Sequence, residues 1–141
     1  MLYKQFKELK LSSLGFGTMR LPLIPGGGEQ DIDQETLDRM VDCAIAGGVN
    51  YFDTAYPYHG GCSELAIGKS LARYPRESFY LADKFPGHQI VKGVKKLDPE
   101  TIFEEQLKKC GVEYFDFYLL HNINLYFLSY YGNPENKYLD Y

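Results

Sequence analysis

The sequence has little cysteine, no excess of positive charge and no long apolar run, and each shortage argues against a class of protein. Its three cysteines are odd in number and far apart, which favours free thiols in a reducing compartment over a disulfide framework. The net charge of −4 argues against a nucleic-acid or anionic membrane partner, because such partners select basic surfaces. No apolar run reaches membrane-spanning length, and the N-terminal residues alternate polar and apolar types instead of forming a signal core. These features predict a soluble, cytoplasmic protein.

The remaining composition is that of an ordinary globular domain. Of the 141 residues, 45% are hydrophobic and 24% are charged, which argues against disordered and fibrous classes. The length allows one domain with a substantial core and is too short for two ordinary domains. We therefore expect residues 1–141 to form one domain that binds a neutral or small anionic ligand.

Strand and helix patterns alternate along the chain. A short hairpin is predicted within residues 3–11, and four strands follow at residues 11–19, 49–53, 79–84 and 114–120. Helices are predicted to start after residues 31–33, at Ser63 as an N-cap, and at residues 98–100. Successive strands lie roughly thirty residues apart, as in an eight-unit barrel of about 250 residues. The order predicts an α/β fold of the TIM (β/α)8-barrel type, of which about four parallel strands and three helices are present.

Three successive predicted strands end in the polar side chains of Asp53, Lys84 and His121. Tyr58 follows Asp53 in a loop that passes through a glycine pair before the next helix. In parallel barrels the carboxyl ends of the strands carry the chemistry, so we select these four residues as candidate catalytic groups. The alternative interpretations are a structural ion pair for Asp53 and Lys84, and a hydrogen-bonded core histidine for His121.

Together, these residue types can donate a proton to a carbonyl oxygen. An unaided tyrosine is a poor acid at neutral pH, but a lysine ammonium within hydrogen-bond reach stabilises the phenolate. An aspartate beside the lysine keeps the ammonium charged and oriented. A histidine above the same point can orient the oxygen as negative charge develops on it. None of these groups is a hydride source, so a reduction needs a nicotinamide cofactor.

Four segments, in order over roughly residues 4–123, resemble the N-terminal half of an aldo-keto reductase. The segments are Gly15-Phe16-Gly17-Thr18-Met19-Arg20, Phe52-Asp53-Thr54-Ala55 followed by Tyr58, Ala82-Asp83-Lys84, and Asp116-Phe117-Tyr118-Leu119-Leu120-His121-Asn122. The resemblance implies a TIM-barrel oxidoreductase that uses NADPH to reduce aldehydes and ketones. The residues themselves do not decide between NADPH and NADH, nor do they identify the carbonyl substrate.

The resemblance also implies a role for each candidate residue. Tyr58 would be the general acid, and Lys84 and Asp53 would tune it. His121 would position the substrate carbonyl, with Asn122 as a second substrate contact. The residues expected to contact the cofactor are Gly17, Thr18, Met19, Asp53 and Tyr58.

No metal site is expected in this chain. The sequence Tyr-His-Gly-Gly-Cys-Ser-Glu is similar to that of bacterial family members that carry a C-terminal iron–sulfur segment. Cys43, Cys62 and Cys110 lack the close spacing that such clusters use, so no iron–sulfur cluster is predicted. His59 and Cys62 have metal-like spacing, but no second pair accompanies them.

The end of the sequence departs from a full barrel. Residues 124–141 are predicted to be a loop-like aromatic tail, and four strands are half of the number that the barrel needs. The first and fourth strands would then be unpaired edges, which invite a homodimer or a separate second half to complete the barrel. The alternatives to an active reductase are a truncated, inactive fragment and a non-catalytic half-barrel that serves as an interaction module.

Two groups of polar residues near the candidate site receive simpler interpretations. Tyr56 and His59 are expected to be loop surface or pocket wall. A solvated helix face is the expected environment of Glu104, Glu105, Lys108 and Lys109.

Overall fold

A computed structural model of the protein describes residues 1–87, 89 and 98–135. The chain begins with the predicted hairpin, in which β1 (Tyr3–Phe6) pairs antiparallel with β2 (Leu9–Ser12). The Tyr3 hydroxyl donates a hydrogen bond to the Gly48 carbonyl oxygen at 2.9 Å. The centroid of the Phe6 ring lies 5.9 Å from that of Phe117. These contacts fasten the hairpin to the amino-terminal end of the main sheet.

The main sheet contains four parallel strands in chain order: β3 (Phe16–Gly17), β4 (Tyr51–Asp53), β5 (Tyr80–Phe85) and β6 (Phe117–Leu120). The helices α1 (Gln34–Ala46), α2 (Ser63–Leu71) and α3 (Pro99–Cys110) connect them. Each connection runs from a strand through a helix to a parallel neighbour, which is the repeating unit of a barrel. The predicted four strands and three helices are therefore confirmed.

The first and last parallel strands are shorter than the apolar pattern predicted. β3 begins only at Phe16, because residues 9–12 pair within the hairpin instead. β6 begins at Phe117. Asp116, just before it, bonds to the neighbouring strand through both its backbone N–H, which donates to the Leu81 carbonyl oxygen at 3.0 Å, and its side chain. Its Oδ2 accepts hydrogen bonds from the Leu81 backbone at 2.8 Å and from Arg76 at 2.6 Å.

Alternation along the strands separates the core from the candidate site. Phe52 and Leu81 are fully buried and pack against Leu37, Val41 and Ile67 of the helices. Burying each such side chain contributes about 1.5–3 kcal/mol relative to leaving it exposed. Because successive side chains of a strand point to opposite faces, the neighbours of these core residues project away from the helices. The large buried side chains of β4 and β5 thus face the helices, on the outer face of the sheet, and the candidate catalytic side chains of these two strands face the other way, on its inner face.

Helix ends follow the predicted capping residues in two of three cases. The Asp33 side chain accepts from the Thr36 backbone N–H, and Asp98 accepts in the same way from Thr101. The predicted Ser63 cap of α2 is wrong, because Cys62 occupies the cap position and no side chain bonds to the helix end. The Ser63 hydroxyl does not cap the helix because it bonds to another loop: its Oγ donates to Thr18 Oγ1 at 2.7 Å.

The aromatic tail is not loop-like throughout, because residues 125–131 form a fourth helix, α4 (Leu125–Tyr131). Asn124 starts it, with Oδ1 accepting from the backbone N–H groups of Tyr126 at 3.0 Å and Phe127 at 3.1 Å. Phe127 and Tyr131 lie one helical turn apart, and both are buried in a cluster with Phe85. This i, i+4 apolar pair is what the loop prediction overlooked. Residues 136–141 of the predicted tail lie outside the described part of the chain.

Among the described strands, β3 and β6 each pair with one neighbour. β6 is correspondingly open, with Tyr118 38% exposed and Leu119 41% exposed. The edges expected from the sequence are thus present in the described sheet. No helix of the described residues combines the length and apolar character that crossing a membrane requires.

Substituting Gly68 by alanine tests the close packing of α2 on α3. A Cβ at Gly68 would lie 2.4 Å from the Cys110 carbonyl oxygen, so the two helices would have to separate. We expect Gly68→Ala to lower the free energy of unfolding by about 1–3 kcal/mol, as overpacked sites do. Denaturant unfolding provides the measurement. The control is Lys69→Ala at the adjacent exposed position, and equal stability of the two variants would contradict the packing described here.

Candidate active site

An ion pair between Lys84 and Asp53 lies at the carboxyl ends of β5 and β4. Lys84 Nζ donates to Asp53 Oδ1 at 2.5 Å and to the Thr54 carbonyl oxygen at 2.6 Å. The Lys84 side chain is 13% exposed and that of Asp53 29% exposed, so solvent screens the pair only partly. Removing either partner would leave a poorly hydrated charge without its counter-ion. The pair is therefore held at a fixed place on the inner face of the sheet.

Tyr58 places a phenol beside this ion pair. It begins a short 3-10 helix, Tyr58–Gly61, in the loop that follows β4. Its hydroxyl oxygen lies 3.5 Å from Lys84 Nζ, at the outer limit of a hydrogen bond. The same ammonium lies 4.9 Å from the centre of the Tyr58 ring. Phenol, ammonium and carboxylate thus follow one another within contact distance.

The turn after Tyr58 depends on backbone in the left-handed region. His59, Gly60 and Gly61 have φ values of 53°, 59° and 90°, which cost little at glycine but require compensation at histidine. His59 Nε2 accepts from the Leu21 backbone N–H at 2.9 Å, and its Nδ1 contacts the Glu29 carbonyl oxygen at 2.8 Å. The ring therefore carries its proton on Nδ1 and donates it to Glu29.

His59 is consequently a buried histidine, and of its two interpretations the one as loop surface is wrong. Both ring nitrogens of His59 bond to the backbone, so neither is available to bind a metal together with Cys62. Within the described residues, no three side chains of the His, Cys, Asp or Glu types are grouped as metal ligands. Tyr56, by contrast, covers Lys109, whose Nζ lies 4.1 Å from the centre of the Tyr56 ring.

His121 follows β6 and packs against Tyr58. The ring centroids are 5.6 Å apart, and the planes meet edge-to-face at 89°. The His121 backbone N–H donates to the Phe85 carbonyl oxygen at 3.0 Å, and the Tyr131 hydroxyl donates to the His121 carbonyl oxygen at 2.7 Å. The described chain therefore brings Asp53, Tyr58, Lys84 and His121 to one point. Asn122 is exposed beside them with φ of 59°.

The residues predicted to contact the cofactor differ in how exposed they are and in how much open space lies beside them. Gly17 pairs in register with Asp53, and a Cβ there would meet nothing within 4 Å, so the space above this strand end is open. Met19 is 54% exposed. Thr18 is fully buried, and its hydroxyl donates to the Asp53 carbonyl oxygen at 3.1 Å. An open surface beside a phenol and an ammonium fits a flat nicotinamide, whereas the Thr18 side chain contributes to the fold.

A buried polar network, absent from the sequence predictions, lies behind Lys84 in the helix layer. Glu64 of α2 is fully buried, and its carboxylate accepts from Gln106 Nε2 at 2.9 Å and from Lys109 Nζ at 3.1 Å. Gln106 Nε2 also contacts the Lys84 carbonyl oxygen at 3.2 Å. The prediction of a solvated face is therefore wrong for Lys109, which pairs with a buried carboxylate.

Asp83 belongs to the same network and is fully buried. Burial, followed by the negative charge of nearby Glu64, raises the pKa of Asp83 to about 8. Burial likewise raises the pKa of the adjacent Cys110 thiol far above its usual value. One signal for this network was present in the sequence, because Gln106 interrupts the buried stripe of α3 between Ile102 and Cys110. A polar residue on an apolar stripe requires a buried partner.

Comparisons with known proteins agree with this geometry. Residues 13–128 match the family model of the Aldo/keto reductase family. A probable aldo-keto reductase of Glycine max is 32% identical over 120 residues, which span 82% of this chain and 34% of that protein. The NADH-specific methylglyoxal reductase of Escherichia coli is 31% identical over 131 residues, which span 81% of this chain and 39% of that protein.

A solved structure extends the likeness to three dimensions. The aldo-keto reductase of Bacillus halodurans in its holo form matches with a TM-score of 0.66 at 28% identity, over 84% of this chain and 40% of that one. The chain thus spans less than half the length of these relatives. The predicted fold class, the N-terminal half of a TIM barrel, is confirmed. The chain belongs to the aldo/keto reductase family, whose members are oxidoreductases that use NAD(P)H.

Proposed function

We propose that this chain carries the proton-donating centre of a carbonyl reductase, with Tyr58 as the acid. The observation that supports this proposal most directly is the contact of the Lys84 ammonium with both Asp53, at 2.5 Å, and the Tyr58 hydroxyl, at 3.5 Å. A structural ion pair needs no phenol beside it. Asp53 and Lys84 at the strand ends and Tyr58 in the loop after β4 also agree with the place of the chemistry in barrels of this kind.

In the proposed reaction Tyr58 transfers its hydroxyl proton to the oxygen of an aldehyde or ketone. The phenolate that remains lies beside the Lys84 ammonium, which stabilises it, and Asp53 keeps that ammonium charged and oriented. His121, whose ring packs against Tyr58, orients the carbonyl oxygen from the other side, with Asn122 beside it. The proton goes to oxygen and a hydride goes to carbon, so the product is an alcohol.

A reduced nicotinamide, NADPH by resemblance to the family, supplies the hydride when bound. Gly17 would let the ring approach the strand end closely, because no side chain occupies the space beside it. The exposed Met19 would cover the ring, and Tyr58 and Asp53 would border it. The name of the Escherichia coli relative makes methylglyoxal the first substrate to examine.

We further propose that the open strand edges pair with a second half-barrel, which for this chain alone is a second copy. The edges of β3 and β6 are parallel and each pairs with one described neighbour, so a second four-stranded sheet would close an eight-stranded barrel. The same edges support the alternative of a non-catalytic interaction module. Turnover of a carbonyl substrate distinguishes a reductase from a non-catalytic interaction module.

Replacing Tyr58 by phenylalanine tests the acid assignment. We expect Tyr58→Phe to lower the rate of methylglyoxal reduction at least about a hundredfold, because a general acid contributes that much. NADPH binding, followed by nicotinamide fluorescence, should change little. The control is Tyr56→Phe, since the Tyr56 hydroxyl has only a long contact of 3.4 Å to Glu105. Unchanged turnover in Tyr58→Phe refutes the assignment, and absence of NADPH or NADH binding at millimolar concentration refutes reductase function for this chain.

Sedimentation tests the pairing of strand edges. We expect the 16.2 kDa chain to sediment as a dimer, and Leu119→Lys to shift it toward the monomer by charging the inner face of the β6 edge strand. Leu65→Lys serves as the control, because Leu65 is 45% exposed on α2, compared with 41% for Leu119 on β6. A stable, non-aggregating monomer of the unsubstituted chain would contradict the proposed pairing.

A further inference from the structure

Lys84 lies in the part of β5 that no longer pairs with β4. The last pair of the β4–β5 ladder is Asp53 with Ala82, two residues before Lys84. On the other side Lys84 still pairs with Leu119 of β6. A residue with one neighbouring strand must satisfy its remaining backbone groups elsewhere. The place of the candidate catalytic lysine therefore depends on partners outside the sheet.

Two buried side chains provide these partners. The Lys84 backbone N–H donates to Asp83 Oδ1 at 2.8 Å, and the Lys84 carbonyl oxygen accepts from Gln106 Nε2 at 3.2 Å. Both side chains are fully buried. The backbone of Lys84 is thus contacted from the helix side, while its ammonium reaches the opposite face of the sheet.

The orientation of Gln106 is fixed by its own partners. Its carbonyl oxygen accepts from the Tyr118 hydroxyl at 2.6 Å, and its amino group donates to Glu64 Oε1 at 2.9 Å. A flipped amide would place a carbonyl oxygen against the carboxylate of Glu64 and against the carbonyl of Lys84. Only one orientation satisfies all three neighbours, so Gln106 transmits the position of Glu64 to Lys84.

The charges of the network also require a shared proton. Glu64 and Asp83 are two fully buried carboxyls, and the ammonium of Lys109 contacts Glu64 at 3.1 Å. Lys109 also pairs with the partly exposed Glu105 at 3.2 Å, so it neutralises at most one buried carboxylate, and we expect the second carboxyl to be neutral and to share its proton with the first. Both Glu64 oxygens already accept hydrogen bonds, from Gln106 and from Lys109, and burial raises the pKa of Asp83, so the proton is assigned to Asp83. The titratable groups around Asp83 are Glu64 on α2, Lys109 and Cys110 on α3, Tyr118 on β6 and Lys84 on its own strand.

We propose that Glu64, Gln106 and Asp83 are positioning residues that hold Lys84 in place against Asp53 and Tyr58. The proposal rests on the proposed function for its importance to catalysis, but the placement of Lys84 can be measured without turnover. An apolar helix-sheet contact could provide stability alone, and burying this polar set is costly unless every member is satisfied. Two bonds of the network go to the backbone of a single strand residue, Lys84, at its N–H and at its carbonyl oxygen.

The neutral state of Asp83 predicts an unusual pH dependence of stability. The folded chain retains a proton on Asp83 up to about pH 8, whereas the unfolded chain releases it near the ordinary value of 3.8. Stability contributed by this group is therefore complete at acid pH and decreases as the pH rises from about 4 to about 8. Asp83→Asn, which mimics the neutral form, should flatten the thermal midpoint of unfolding across this window. Parallel profiles for the two proteins would show that Asp83 is ionised and would refute the shared proton.

Nuclear magnetic resonance of isotope-labelled lysine tests the positioning role directly. The ammonium of Lys84 is shielded by its bonds to Asp53 and Thr54, so its protons should exchange slowly with water. We expect Glu64→Gln and Gln106→Leu each to accelerate this exchange about tenfold, the loss of roughly one hydrogen bond at the lysine. Tyr118→Phe removes only the hydroxyl that orients Gln106, at a half-exposed position, and should fold even where the buried variants do not.

The matched control is Ser70→Ala on α2, the helix that also carries Glu64. Ser70 is fully buried and bonds to Gln34 and Asp38 on the side of α1, without a link to Lys84. It should lower stability and leave the exchange of the Lys84 ammonium unchanged. If the folded network variants, including Tyr118→Phe, exchange at the rate of the unsubstituted chain, the network is merely structural and the proposal is wrong. Failure of turnover alone bears on the proposed function and leaves this readout unaffected.

Discussion

The Lys84 ammonium is the charge around which this half-barrel is arranged. A cation that is only 13% exposed needs an anion and oriented oxygens, and the end of β4 supplies both, in Asp53 and the Thr54 carbonyl. These partners are within reach because β4 ends two residues earlier than Lys84 in the shared register, so the lysine can extend over the strand end. The early end of β4 thus provides the anion and the carbonyl oxygen that the buried ammonium requires.

Hydrogen bonds between hydroxyl groups connect the end of β4 to the loop after β3 and to the start of α2. Ser63, at the start of α2, donates to Thr18 Oγ1 at 2.7 Å and contacts Thr54 Oγ1 at 3.0 Å, while Thr18 bonds to the Asp53 carbonyl oxygen. The loop after β3, the end of β4 and the beginning of α2 therefore share one buried set of bonds. Because the loop that carries Tyr58 ends where α2 begins, these bonds also determine where the phenol can lie. The turn tolerates a left-handed histidine because His59 is held by two backbone groups.

The sequence predicted those features that depend on local periodicity. Strand ends at Asp53, Lys84 and His121 follow from the alternation of apolar strands and helices, and parallel strands necessarily bring their carboxyl ends to one edge. The apolar spacing of Phe127 and Tyr131 was a comparable local signal that the aromatic composition of the tail obscured. Bonds between distant residues had no such signal. Neither the pairing of Glu64 with Lys109, forty-five positions away, nor the use of His59 by Leu21 and Glu29 follows from a pattern within one element.

The distribution of polar groups across β5 explains why chemistry and support can occupy one strand. Alternation places Lys84 on the inner face and Asp83 on the outer face, so one step along the chain separates the reactive side of the sheet from the supporting side. The inner face must keep its charge, because the ammonium is useful there only as a cation. The outer face favours a neutral carboxyl, because burial and the negative charge of Glu64 raise the pKa of Asp83. A single peptide bond between Asp83 and Lys84 therefore joins two environments with opposite electrostatic requirements, and the N–H of that bond donates to the Asp83 side chain.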